Sequence, residues 1–187
     1  MVLIIGISGA SGVIYGIRLL QFLKDRTDIQ THLIITEAGS ANITYETGWH
    51  LKDVCSLANF VYDINDISAR LASGSFKSNG MVVIPCSVKT LSAVAHSYTD
   101  NLLVRAADVT LKERRRLVLM LRETPLHLGH IRNMERVTEM GGIILPPVPA
   151  FYHKPKTIED IIDHTVGKIL DIFEIEHRLY TRWQGFQ

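Results

Sequence analysis

The chain has 187 residues, of which 47% are hydrophobic and 21% charged, with 20 Lys and Arg against 19 Asp and Glu. That length suits one domain with a substantial core and is too short for two catalytic domains, and the composition excludes long disorder. A formal net charge of +1 leaves no electrostatic footprint for nucleic acid or an anionic membrane surface.

In chain order, the first element is an apolar run, Val2–Ile7. No basic residue precedes it and Gly6 interrupts it, so it reads as a buried strand rather than a signal peptide or a membrane helix. Further short apolar runs at His32–Thr36, Met81–Ile84, Leu117–Leu121 and Ile143–Leu145 are continuous rather than alternating, as in strands covered on both faces. Helical patterns separate them at Gly12–Leu23, Ala38–Thr47, Leu51–Ala58, Val88–Ala95, Asn101–Leu111 and His127–Met140. A last helix carries Ile158, Ile161, Ile162, Ile169, Leu170 and Phe173 on a helical period, with Thr157 as its N-cap. Repeated strand–helix units predict an α/β fold: a single doubly wound, mainly parallel sheet, in one domain spanning residues 1–187. The two cysteines, Cys55 and Cys86, have neither CxxC nor zinc-type spacing, so no disulfide framework is expected and a cytoplasmic setting is.

Ligands of such sheets bind beyond the carboxyl ends of the strands. The first strand runs into Gly6-Ile7-Ser8-Gly9-Ala10-Ser11-Gly12 and then a helix, an arrangement whose backbone N–H groups suit a phosphate. Its GxxGxxG spacing matches neither the dinucleotide fingerprint nor a P-loop, although Glu37 stands where a dinucleotide fold keeps its ribose-binding acid; a tight turn without a ligand is the alternative. After the third run, Pro85-Cys86-Ser87 opens a helix, with Ser87 and Thr90 placed either to meet an anion or flavin ring or simply to cap the helix. Cys86 has no base placed by spacing and reads as a buried thiol.

Arg105, Asp108 and Lys112 fall on one helical face, and Arg122-Glu123 ends the next strand, where a cation beside a carboxylate can hold a phosphate and supply a proton. His127 and His130 lack a third metal ligand, so helix capping is expected there rather than a metal centre. Pro149-Ala150-Phe151-Tyr152-His153 is a rigid loop presenting a phenol and an imidazole, and Trp183, near the chain end, needs an apolar surface to dock on.

Taken together and in order, Gly9-Ala10-Ser11-Gly12, Ser73-Gly74-Ser75, Pro85-Cys86-Ser87, the Arg105–Arg115 string, Arg122-Glu123-Thr124-Pro125, Pro149–His153 and Arg182-Trp183 resemble the UbiX/Pad-type flavin prenyltransferases along essentially the whole chain. The resemblance implies transfer of a dimethylallyl group from dimethylallyl monophosphate to N5 and C6 of reduced FMN, without a metal. The product, prenylated FMN, would serve UbiD-type decarboxylases, with ubiquinone biosynthesis the expected destination. It implies a Rossmann-like flavoprotein fold and a homododecamer as well.

Carried over residue by residue, Gly9, Ala10, Ser11, Thr36, Ser87, Thr90 and Arg122 become FMN contacts, with Ser11 near the flavin and Glu46 the acid beside the reacting ring. Lys112, Arg122, Tyr152 and Lys168 become the clamp on the prenyl phosphate, Glu123 the acid that handles the departing phosphate, and Trp183 the aromatic of a tail (about 177–187) that closes the site. The family often has Arg at Lys168 and commonly Ser at Thr36; Lys keeps the charge but loses the two-pronged grip. Two other functions are compatible with the fold. A phosphopantothenoylcysteine-type FMN decarboxylase needs a catalytic His early in the chain, which is missing here, and a flavin carrier has no use for Glu123 or Lys112.

Overall fold

The computed structural model describes residues 1–185. Its contacts gather into two compact units, Met1–Pro146 and the stretch from Pro147 onward. Positions 186 and 187, the last of the expected closing tail, lie outside the described residues.

The first unit is built on β1 (Val2–Ile7), β2 (Gln30–Ile35), β3 (Phe60–Tyr62), β4 (Gly80–Cys86), β5 (Arg116–Leu121) and β6 (Ile143–Ile144). They form one six-stranded sheet in the order β3-β2-β1-β4-β5-β6, and every neighbouring pair is parallel. β4 is buried at all seven residues and β1, β2 and β5 at five of six each, which is why these strands are apolar without alternation. Helices α1 (Val13–Lys24), α2 (Glu37–Glu46), α3 (Leu51–Cys55), α4 (Val88–Ala95), α5 (Leu102–Lys112) and α6 (Leu128–Glu139) flank the sheet. Ile4, Ile34, Met81, Val83, Leu117 and Leu119 form the core with Leu91 and Val94 of α4, Leu103 and Ala107 of α5, and Val137 of α6.

Polar side chains cap the helices as their types predict: Thr36 accepts the Gly39 N–H, Ser87 that of Thr90, Asn101 that of Val104 and His127 that of Gly129. The expected strands are all present within two residues at each end, and β3 is additional. It is three residues long, exposed at Phe60 and Val61, and pairs only with β2, so no buried apolar run announces it. α3 ends at Cys55 rather than reaching Ala58.

β3 nevertheless covers a buried histidine. His32 of β2 is fully enclosed, its ring stacked on Phe60 at 4.8 Å and met edge-on by Phe76 at 5.1 Å. Arg70 donates to the Tyr62 hydroxyl, Tyr62 lies 2.8 Å from His32 Nδ1, and His32 Nε2 lies 3.1 Å from Gln30 Oε1. One neutral tautomer, with the proton on Nε2, satisfies that whole chain. Burial, and secondarily the Arg70 charge, push the imidazole down to about 4 from its ordinary 6.5. The unfolded chain therefore takes up this proton at a higher pH than the folded one, and between those values acid favours unfolding. Denaturation midpoints should fall as pH drops from about 6.5 through 4, and a His32→Asn variant should lose that component of the slope; an identical slope in the variant would show that His32 does not carry it.

The second unit is organised by α7 (Ile158–Ile172), which opens on a complete capping box between Thr157 and Asp160. Ile162, Val166, Ile169 and Leu170 form its buried stripe. No helix among the described residues is long and apolar enough to cross a membrane.

Candidate active site

The strand order changes direction between β1 and β4, and the ends of those two strands are fastened together there. Ser8, fully buried, donates its hydroxyl to the Pro85 carbonyl at 2.9 Å and accepts the Ser87 N–H at 2.8 Å, while the Ser8 N–H reaches the same carbonyl. Pro85 follows a cis peptide and sits where the β4–β5 register shifts, a position that tolerates a residue without an N–H.

Beside this junction lies a cavity of about 550 Å³, within the range of small-molecule and cofactor sites. Gly9, Thr36, Ala38, Ser87 and Thr90 line it, together with Val88 and Lys89 at the head of α4. Ser87 Oγ donates to Thr90 Oγ1 at 3.1 Å and takes the Thr90 N–H at 3.2 Å, which fixes both hydroxyls. The cavity wall thus contains a helix N-terminus with its partial positive charge and two positioned hydroxyls, the chemistry of an anion site.

The glycine loop is built differently from the sequence expectation of a phosphate cradle. Gly12 takes φ 96°, a left-handed conformation that favours glycine, and starts α1. Its N–H is held by Glu46 Oε2 at 2.8 Å, so the anion at this helix N-terminus is the protein's own carboxylate. Asn42 donates to the Ala10 carbonyl at 3.2 Å. A Cβ added to Gly9 would lie 2.4 Å from the Ala38 Cβ. Within the loop Ala10 is buried, whereas Ser11 is exposed and stands outside the cavity lining.

Arg122 and Glu123 follow β5 at the same end of the sheet. Arg122 is exposed; Glu123 is half-buried, with Oε1 accepting the Thr124 N–H at 2.9 Å. Lys112 is elsewhere. Asn101, the cap of α5, lines the cavity, and Lys112 closes that 11-residue helix, about 16 Å away at 1.5 Å per residue. There Lys112 pairs with Glu113, whose carboxyl the lysine holds below its usual range, and Arg115 donates to the carbonyls of Gly74, in the Ser73–Ser75 turn, and of Phe76 just after it. The expected charged stripe is therefore divided: Arg105 pairs with Asp108 at 3.0 Å, and Lys112 with Glu113.

The second unit holds Tyr152, Lys168 and Trp183. The Tyr152 hydroxyl is 3.0 Å from His164 Nε2, its ring meets Trp183 edge-on at 5.8 Å, and His164 stacks on His153 at 4.8 Å. Asp171 gathers the tail. It accepts from Tyr180 Oη at 2.6 Å, from both terminal nitrogens of Arg182, and lies 3.0 Å from His177 Nε2, with Lys168 Nζ at 4.0 Å. Partial burial works to raise the Asp171 carboxyl, but the bonds from Arg182, Tyr180 and His177 win and hold it at about 2. The tail fits closely because Gly167 has no side chain: a Cβ there would lie 2.6 Å from the Tyr180 ring and 2.7 Å from that of His177.

A family model described as Flavoprotein matches residues 1–181. The chain is 57% identical over 185 residues to the flavin prenyltransferase UbiX of Escherichia coli strain K12, covering 98% of each. It belongs to the UbiX family of flavin prenyltransferases. Among solved structures, AnUbiX (PadA1) in complex with FMN and dimethylallyl pyrophosphate matches with a TM-score of 0.97 and 47% identity, over 100% of this chain and 98% of that one. A dodecameric FMN-dependent UbiX-like decarboxylase from Escherichia coli O157:H7 matches equally well, at 0.97 and 45% identity over 99% and 100%.

For this UbiX-family chain, sequence reasoning located Gly9, Thr36, Ser87 and Thr90 in the cavity wall. It missed Ser8, Asn42 and Asp171. A polar residue at the end of an apolar strand is a signal for Ser8; for the other two, single polar positions in helices, the sequence carries none. Among the described residues no three His, Cys, Asp or Glu side chains converge as a metal would require.

Proposed function

We propose that this chain is a flavin prenyltransferase that joins a dimethylallyl group, from dimethylallyl monophosphate, to N5 and C6 of reduced FMN. The observation that carries this reading is the cavity at the β1–β4 junction, walled by the N-terminus of α4, in a chain that matches flavin prenyltransferases along its length. The volume and the donor set fit FMN: Ser87, Thr90 and the first-turn N–H groups of α4 would hold its phosphate, and Thr36 and Gly9 the adjoining part. Reduced FMN supplies the nucleophilic ring atoms. Because Glu46 already occupies the N-terminus of α1, the glycine loop would meet the flavin ring rather than its phosphate, with Ser11 and Glu46 the residues expected near the reacting atoms.

Ionising an allylic phosphate needs cations on the leaving group and a proton source. Arg122, Tyr152 and Lys168 hold the prenyl phosphate, and Glu123 delivers the proton to it. Lys112, at the end of α5 away from the cavity wall, would join the clamp on the prenyl phosphate from a neighbouring copy in a homododecamer. The prenyl group, cationic as its phosphate leaves, is sheltered by the aromatic faces of Tyr152 and Trp183. Residues 1–187 together serve this one activity. The protein works in the cytoplasm, needs no metal, and hands prenylated FMN to a UbiD-type decarboxylase, with ubiquinone biosynthesis as the setting.

The test is anaerobic incubation of the purified protein with reduced FMN and dimethylallyl monophosphate, followed by the mass of the extracted flavin. A gain of one prenyl unit is expected. Unmodified flavin with the monophosphate and with the diphosphate alike would overturn the reading.

A further inference from the structure

Helix α2 lies along the glycine loop in register. Ala38, Asn42 and Glu46 are spaced four residues apart on one stripe of the helix. They meet the loop in the same order: Ala38 against Gly9, Asn42 on the Ala10 carbonyl, Glu46 on the Gly12 N–H. Gly9 and Ala38 also line the cavity, so the helix and the loop form one wall of it.

Two of these contacts are directional: Glu46 orients the Ser11–Gly12 peptide through the Gly12 N–H, and Asn42 orients the Ala10–Ser11 peptide through the Ala10 carbonyl. The peptide joining Ala10 and Ser11 is planar and trans, so its C=O and N–H point in opposite directions. Drawing the Ala10 carbonyl toward α2 therefore turns the Ser11 N–H away from α2. A half-turn of that peptide would exchange the two and break the bond that Asn42 Nδ2 makes at 3.2 Å, which only a matching turn of the side-chain amide, presenting its oxygen to the Ser11 N–H, would replace.

We propose that Asn42 is a positioning residue for prenyl transfer, fixing the Ala10–Ser11 peptide and through it the loop that faces the flavin. The proposal rests on the prenyltransferase reading above. An Asp at 42 has no donor to offer the Ala10 carbonyl; its carboxylate instead favours the flipped peptide, with the Ser11 N–H turned toward it. It also stands one turn from the Glu46 carboxylate. Ala removes the preference, and Gln restores a donor on a longer arm.

The experiment compares the wild type with Asn42→Ala, Asn42→Asp and Asn42→Gln in three readouts: prenyl-transfer rate at saturating FMN, the absorption spectrum of bound FMN, and thermal stability with and without FMN. Rates are expected in the order wild type, Gln, Ala, Asp, with the Asp variant slowed by about 10²-fold, as a misplaced reacting group is. The flavin spectrum is expected to shift in Asp and return toward wild type in Gln, while FMN still stabilises all four proteins. Wild-type rates and spectra in the Ala and Asp variants would overturn the proposal. So would losses that follow thermal stability or FMN occupancy alone, which is the pattern of a merely structural contact. Absence of prenyl transfer in the wild type would instead overturn the functional reading, and the spectra would still decide whether Asn42 sets the loop.

Discussion

Glu123→Gln is expected to leave FMN affinity unchanged and to slow prenyl transfer by about 10²–10⁴-fold, the usual contribution of a positioned general acid. The substitution is nearly isosteric, and its side-chain carbonyl can keep the bond that Glu123 Oε1 makes to the Thr124 N–H at 2.9 Å. The loop between β5 and α6 should therefore hold its shape while only the transferable proton is lost. Single-turnover kinetics read by flavin mass separate the two effects, because binding and chemistry are followed on the same sample. A variant that turns over at the wild-type rate would remove Glu123 from the mechanism and leave Arg122 as the only member of that pair with a role.

Ending the chain before Arg182 is the second change with a large expected effect, a loss of about 10²-fold in prenyl transfer if the tail is what closes the site. The truncation removes Trp183 and the two-pronged Arg182–Asp171 pair together. Asp171→Asn separates them: Trp183 stays in the chain, but the carboxylate that receives His177, Tyr180 and Arg182 becomes a neutral amide. Because this carboxyl is held at about 2, it is ionised at any working pH, so the charge that Asp171 offers the tail should not change above about pH 4. The fluorescence of Trp183, measured in a Trp49→Phe background, should report greater water contact in Asp171→Asn. Full activity of the truncated chain would show that the tail has no part in the reaction.

The parts of this molecule that were legible in the sequence share a cause. β1, β2, β4 and β5 are covered on both faces, so burial forces continuous apolar runs, and the loops after β1 and β4 had to carry the small and hydroxyl residues that a cavity wall needs. β3 was illegible because an exposed three-residue edge strand leaves its composition unconstrained. Lys112 illustrates a different limit: helical spacing places it on a face with Arg105 and Asp108 but is silent on which end of the sheet that face reaches. In the structure, Glu113 at the far end takes the lysine. Asp171 and Asn42 show a third limit. Each acts on a segment distant in sequence or lying across a loop, and a lone Asp or Asn on a helix has the same local signature when it merely faces water.

The hydroxyl of Ser8 has a thermodynamic consequence beyond joining two strands. It leaves neither the Gly9 loop nor the Ser87 turn free to sample positions of its own, since each is tied to the other through a bond shielded from water. Whatever enters between them meets walls that have already surrendered their freedom during folding, so little of the binding energy is lost to ordering the protein. Affinity at such a site is set mainly by the ligand's own fit and desolvation.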